Sequence, residues 1–478
     1  MANHQKYNLV SLFSGAGGFD WGFSLTGRFN TILACEKLVE PARTFAHNFR
    51  METIKAGVSE EVICGNNPTI IQGDIQQVDF SKVSLTPDVL IGGPPCQDFS
   101  ITISRKGASR PGLNGGRGKL YVEFVRAVMF FQPKIFVFEN VPGLLSANEH
   151  QAFNVILNDL QHLEDARREA INSRAVLDVP SAPVTNYKIL FKDVIYASNL
   201  GVPQTRKRLI IIGIRLDLFE GLGDEAQSYI LNDLEESLSG ETSLLARFPL
   251  TCMEVFEGQP LSELQEKYRS VMSAYQEIIN NPLLLHVDEW RNRFWNQLTL
   301  NDIRRDYFFV NQIDDTPANL ADYKDAMQHH RELLEEMGWL GRPVCGIEAK
   351  DGTNCIPCVS TAVADRMSMI PPDENYTFVN GTPWAVEGKD ISFIYRRSAP
   401  LKPAWTVMAY GGGGTYGYHY ERGRSQLTLR EKARIQTFTD DFVFNKPGVR
   451  AQIGEAVPPL LGKRIAESLI PILELISN

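Results

Sequence analysis

The sequence predicts an α/β protein: a large, doubly wound, Rossmann-like sheet domain with a smaller second domain. Two observations carry this. Short apolar runs at residues 8–13, 31–35, 69–72, 89–91 and 134–138 each end on glycine, an acid or proline, as buried parallel strands do. Helical periodicity falls between some of them, most clearly over 120–131, where Phe124, Val125, Val128 and Met129 share the apolar faces.

The totals set the bounds. The chain has 478 residues, 43% apolar and 22% charged, enough for two or three ordinary globular domains. No apolar run approaches the roughly 20 residues needed to cross a bilayer, so no membrane is expected. The first residues carry no signal-peptide pattern, which places the expected location in the cytoplasm. The seven cysteines are scattered, as reduced thiols are. A net charge of −9 argues against a uniformly basic nucleic-acid binder but leaves room for a local basic cleft.

Strand 8–13 leads into Ser14-Gly15-Ala16-Gly17-Gly18. Glycines crowded between a strand and a helix let a ligand approach the backbone, although a tight turn without ligand uses the same residues. Glu36 ends the next strand, where an acid commonly holds ribose hydroxyls; the alternative is a surface acid opening the following helix. Gly73-Asp74-Ile75 ends the third. The fourth delivers Gly92-Gly93-Pro94-Pro95-Cys96-Gln97. A lone cysteine is ordinarily a small buried hydrophobe. Here two prolines fix two φ angles and remove two donors, so Cys96 sits on a rigid turn at a strand end, where a nucleophile is presented.

Residues 98–119 hold Arg105, Lys106, Arg110, Arg117 and Lys119 against the single acid Asp98, with several glycines. The composition reads as a mobile basic loop, either a solvated surface loop or a lid over a polyanion. Strand 134–138 delivers Glu139-Asn140-Val141-Pro142, a carboxyl at a desolvated sheet edge suited to sharing a proton, or else a structural strand-end acid. Gln204-Thr205-Arg206-Lys207-Arg208 precedes the buried run 209–212, so its cations need partners. From about 218 to 328 the chain turns acidic and helical, with a capping-box pattern at Ser262-Glu263-Leu264-Gln265. Cys345, Cys355 and Cys358 with His329 or His330 offer one Cys-x-x-Cys and no certain fourth ligand, so no metal is expected. The run Tyr416, Tyr418, Tyr420, Arg422, Arg424 after four glycines suits base and phosphate contacts, or a glycine-rich hairpin with surface tyrosines.

In order and content these segments resemble the DNA cytosine-5 methyltransferases, in the compact form of bacterial restriction–modification enzymes. The matching motifs are Phe-Ser-Gly-Ala-Gly-Gly at 13–18, Pro-Cys-Gln at 95–97, Phe-Glu-Asn-Val at 138–141 and Gln-x-Arg-x-Arg at 204–208. Lys-Pro-x-x-Thr at 402–406 and the stretch 452–459 complete the set. Two positions depart from the family: Ser11 where many members have Asp, and Glu455 where Asn is usual.

The resemblance implies S-adenosyl-L-methionine as cofactor, held by Phe13, Ser14, Gly15, Gly17, Gly18, Glu36, Asp74, Ile75, Pro95, Leu120 and Val457. Phe13 would pack on the adenine and Asp74 would take its amino group. It implies Cys96 as nucleophile, Glu139 at the base N3, Arg208 supporting base and Glu139, and Arg206 shaping the pocket. Double-stranded DNA is the implied substrate, flipped at one cytosine. Arg105 and Arg117 would meet phosphates and Arg422 and Arg424 base edges. A cognate restriction endonuclease is the implied functional partner. The expected layout is a catalytic domain over 1–245, target recognition over 246–449 and a return to the catalytic domain over 450–478. An RNA methyltransferase of the same fold and a non-catalytic DNA-binding regulator are the competing readings.

Overall fold

The computed structural model describes residues 5–57, 63–64, 67–95, 120–147, 150–172, 179–386, 394–410, 415 and 417–477. The chain divides into two compact units. The first is Met1–Tyr196, Lys207–Gly240 and Leu461–Asn478; the second is Ala197–Arg206 and Glu241–Leu460.

Among its described residues the first unit has ten strands: β1 Tyr7–Leu12, β2 Phe29–Glu36, β3 Glu52–Lys55, β4 Ile63–Cys64, β5 Thr69–Gln72, β6 Val83–Ser84, β7 Val89–Gly92, β8 Ile135–Asn140, β9 Tyr187–Tyr196 and β10 Lys207–Arg215. Eight form one sheet in the order β3-β5-β2-β1-β7-β8-β10-β9, while β4 and β6 pair separately. The pairs from β3 through β8 are parallel; β10 runs antiparallel to both neighbours. From β1 the chain winds outward on one side through β2, then returns to the other side at β7. That reversal is a topological switch point, and in open α/β sheets a ligand crevice opens there, beyond the carboxyl ends of the strands. Phe13, Glu36, Gly73 and Gly93 all sit at or just past those ends.

The runs that predicted strands are buried as expected. Val10, Leu12, Leu33, Leu90, Phe136, Phe138, Leu209 and Ile211 lie in one cluster. The helices α1 Gly18–Leu25, α2 Val39–Phe49 and α3 Leu120–Phe131 also belong to this unit. Gly17, the N-cap of α1, has φ +94°, and a Cβ there would stand 2.6 Å from the ring of Phe49 and 2.8 Å from that of Phe45. Those rings stack at 4.3 Å. Any larger residue at 17 would therefore push α1 off α2.

Among its described residues the second unit has helices, 3₁₀ turns and isolated bridges, with its own core around Tyr275, Trp290, Met367, Phe378 and Tyr418. The capping box expected at Ser262 does not form: that residue lies in a 3₁₀ turn, Leu261–Glu263, and the next helix, Gln265–Ser273, has no side-chain cap. Capping boxes form at Thr251 with Glu254 and at Thr428 with Glu431. In both, the threonine directly precedes the first helical residue, which Ser262 does not.

The units differ from the expected boundaries at 197–206, 241–245 and 450–460. Residues 450–460, with their motif, belong to the second unit, as do 197–206. Hydrogen bonds explain this: Arg206 Nη2 donates to the carbonyls of Gly454 (3.0 Å) and Ala456 (2.9 Å), and Gln204 Nε2 donates to the Ile435 carbonyl (2.9 Å) and Gln436 Oε1 (2.7 Å).

Candidate active site

At the carboxyl end of β8, Glu139 meets Arg208 from the start of β10, with Arg208 Nε 2.6 Å from Glu139 Oε1. The antiparallel register of β8 and β10 brings the two together. Both side chains are largely buried, at 12% and 13% exposure. Burial holds the Arg208 guanidinium below its ordinary pKa, against the opposing pull of Glu139. Arg208 Nη1 also donates to the Lys207 carbonyl at 2.7 Å. A charge-assisted pair of this kind fixes a carboxylate in place.

That carboxylate rests against the turn after β7. A Cβ on Gly93 would stand 2.5 Å from Glu139 Oε2, so any larger residue there would displace the Glu139 carboxylate. Asn140 Nδ2 donates to the Pro94 carbonyl at 3.1 Å. The Glu139-Asn140 pair thus braces Gly93-Pro94-Pro95, the lead into Cys96. Pro95 is exposed. Cys96, Arg105 and Arg117 lie outside the described residues, as does the expected basic lid.

The neighbouring strand ends gather acceptors for a polar ligand. Glu36 Oε2 accepts the Gly15 N–H at 2.8 Å and Oε1 accepts the Leu38 N–H at 2.7 Å. These two bonds fix the orientation of the Glu36 carboxylate at the end of β2. Gly15, at φ +55°, has no atom within 4 Å of where a Cβ would be, an open cradle beside Glu36. Phe13, half-buried at φ 54°, packs on the core cluster; Ser14 N donates to the Cys35 carbonyl, and Gly18 begins α1. Asp74 caps the turn Ile75–Gln77 through Gln76 N (3.2 Å) and pairs with Lys37 Nζ at 2.6 Å. The Lys37 bond is the main reason the Asp74 carboxyl sits below its ordinary pKa. Ile75 is buried in the core and Leu120 half-buried at the start of α3. Val457 is buried in the second unit.

Acceptors at two strand ends, a half-buried aromatic and an open glycine match the hydroxyls, amine and flat ring of a nucleoside. The residues present therefore fit the nucleoside end of S-adenosylmethionine, the cofactor that the resemblance implies.

Two predicted residues are tied up within the second unit. Arg422 donates to the Ser368 carbonyl (3.1 Å) and Glu277 (2.6 Å); Arg424 forks onto Glu431 (2.6 and 3.2 Å). Reading base edges would require those pairs to open. Arg397 holds the same run from beneath, donating to the carbonyls of His419, Glu421 and Arg424. Glu455 is exposed and accepts a hydrogen bond from Tyr410. Cys345, Cys355 and Cys358 are exposed, His330 is committed to Glu254, and among the described residues no three potential ligands are grouped to hold a metal.

One residue escaped sequence reasoning. Asp20 in α1 is fully buried and accepts from Ser11 Oγ (2.8 Å) and Thr31 Oγ1 (3.3 Å). Burial pushes its carboxyl up to about 7, against those two hydroxyls. The hydroxyl of Ser11, one of the two positions expected to depart from the family pattern, thus holds a carboxyl that comes from the helix. The signal was present in the sequence as an acid on the apolar helix that follows the glycines.

The family model for C-5 cytosine-specific DNA methylases matches residues 7–166 and 184–471. The DNA (cytosine-5-)-methyltransferase M.ApeKI of Aeropyrum pernix is 47% identical over 98% of this chain and 99% of its own. The type II methyltransferase M.NgoFVII of Neisseria gonorrhoeae is 29% identical over 98% of this chain and 88% of its own. A crystal structure of a putative DNA modification methyltransferase encoded within an E. coli prophage covers 98% of this chain and 100% of its own with a TM-score of 0.52 at 21% identity, a likeness of fold. No described helix is long and apolar enough to cross a membrane. The chain belongs to the C-5 cytosine-specific DNA methylase family and is a DNA (cytosine-5-)-methyltransferase.

Proposed function

We propose that this enzyme methylates C5 of one cytosine in a specific duplex sequence, with S-adenosyl-L-methionine as donor and Cys96 as nucleophile, as the methylase of a restriction–modification system. The observation that carries the reading is the Glu139–Arg208 pair seated against Gly93, three positions before Cys96 in the sequence. Cytosine C5 is a weak nucleophile while the ring is aromatic. Addition of the Cys96 thiolate to C6, with Glu139 hydrogen-bonded at N3, makes C5 enamine-like. S-adenosylmethionine, which Phe13, Glu36 and Asp74 would hold, would supply the electrophilic methyl group that bonds to C5, leaving as S-adenosylhomocysteine. Loss of the C5 proton and expulsion of Cys96 then restore the ring. Arg208 keeps Glu139 aimed throughout. The target atom lies inside a stacked duplex, so the base must be flipped out at a cost on the order of a few kcal/mol. Contacts from Arg105 and Arg117 to phosphates, and from the stretch holding Arg422 and Arg424 to bases, would offset that cost.

Bisulfite sequencing of DNA from a host expressing the protein tests the substrate. Protection of one cytosine within one short recurring sequence is expected; unprotected DNA with methylated RNA would overturn the reading. Gly93→Ala tests the site. The added methyl displaces Glu139, and a misplacement near 1 Å lowers kcat by about 100-fold while DNA binding persists. An unchanged kcat would show that Glu139's position does not matter.

A further inference from the structure

Arg126, in the middle of α3, is buried to 5% exposure and reaches outside its own helix. Its Nη2 donates to the Ile75 carbonyl at 2.9 Å and its Nη1 to the Val78 carbonyl at 3.0 Å. Its Nε donates to Glu123 Oε2 at 2.8 Å, one turn earlier on the same helix. Its guanidinium lies 4.3 Å from the ring centroid of Phe80. One planar cation therefore grips both ends of the turn that starts at Asp74, and a carboxylate and an aromatic face hold the cation still. A lysine presents a single ammonium and cannot span the two carbonyls in this fixed fork.

The position of that grip matters. Asp74 N-caps the turn, so the direction of its carboxylate follows from how the turn is set. Helix α3 begins at Leu120, immediately after the segment 96–119 that carries the nucleophile. Arg126 is thus a direct link between the turn carrying Asp74 and the helix that ends the catalytic segment. We propose that Arg126 is a positioning residue: it sets Asp74 for the adenine end of the cofactor and couples that end of the site to α3. The proposal rests on the reading of Asp74 as a cofactor contact.

The test compares Arg126→Lys and Asp74→Ala with the wild-type full-length enzyme, titrating S-adenosylhomocysteine by calorimetry and measuring KM, kcat and duplex affinity. For Arg126→Lys the expected result is a Kd for S-adenosylhomocysteine and a KM for the cofactor both raised about tenfold, the effect of misaligning one charge-assisted hydrogen bond. Its kcat at saturating cofactor and its duplex affinity should stay within about twofold of wild type, a split that general loosening of the fold would not give. Should Arg126→Lys fail to fold, Glu123→Gln takes its place: it removes the charge that anchors the guanidinium and should raise the same Kd about threefold. A folded variant with unchanged Kd, beside an Asp74→Ala that does weaken binding, would make the clamp purely structural and overturn the proposal. If Asp74→Ala also leaves the Kd unchanged, the cofactor reading of Asp74 falls and the proposal falls with it.

Discussion

Cys96→Ser is expected to lower methyl transfer by on the order of 10³-fold or more while duplex affinity stays near that of wild type. A thiolate is populated near neutral pH and strongly nucleophilic, whereas a serine hydroxyl is neither unless a base activates it. Glu139, the acid seated against Gly93, is already paired with Arg208. Removing one member of a catalytic set that acts as a unit costs nearly as much as removing all of it. Filter binding and tritium transfer on the same preparation separate the two effects. Equal losses in binding and turnover would point to a misfolded turn rather than a missing nucleophile.

His330→Leu is expected to have the largest effect on stability, about 3 kcal/mol, and to alter its pH dependence. His330 and Glu254 are both fully buried in the second unit. His330 Nδ1 lies 2.7 Å from Glu254 Oε1 and Nε2 lies 2.9 Å from the Phe248 carbonyl. Both partners only accept, so both ring nitrogens donate and the ring is an imidazolium. Burial pulls its pKa down, but Glu254 and the carbonyl outweigh burial and hold it above the ordinary histidine value. A raised folded-state pKa fixes the sign: the contribution is complete below about pH 6.5 and is lost as pH rises through the folded value.

Deleting one partner of a buried ion pair costs about 3–5 kcal/mol. The low end applies because Glu254 keeps three other donors, the Thr251 N–H, the Thr251 hydroxyl and the Leu261 N–H. Calorimetry on wild type and variant across pH 6 to 9 measures both effects, in steps of roughly one pH unit. A melting temperature and alkaline slope identical to wild type would refute the assignment of charge.

Local pattern carried much of this architecture. Apolar runs closing on glycines and acids placed β1, β2, β5, β7 and β8, and their parallel order followed once the chain was read as doubly wound. The same pattern found Glu36, Asp74 and Glu139, because strand ends in such a sheet share one edge. Pairings across the fold could not be read that way. Arg422 and Arg424 looked like free cations because the partner of Arg422, Glu277, stands 145 residues away and that of Arg424 sits in the next helix. Asp20 showed only as an acid on an apolar helix, His330 only as a candidate metal ligand beside the cysteines, and Arg126 had no local signature at all. Their roles follow from carbonyls and carboxylates that only the folded chain brings within 3 Å.

Covalent catalysis through Cys96 is the centre of the account, and one measurement addresses it directly. A duplex carrying 5-fluorocytosine at the target position, incubated with enzyme and S-adenosylmethionine, is denatured and run on a gel. Fluorine at C5 cannot leave as a proton does, so cysteine expulsion is blocked after methyl transfer. A denaturation-resistant protein–DNA adduct is expected with wild type and none with Cys96→Ser. An adduct formed equally by Cys96→Ser, or its absence from a wild-type enzyme that methylates the unmodified duplex, would contradict it.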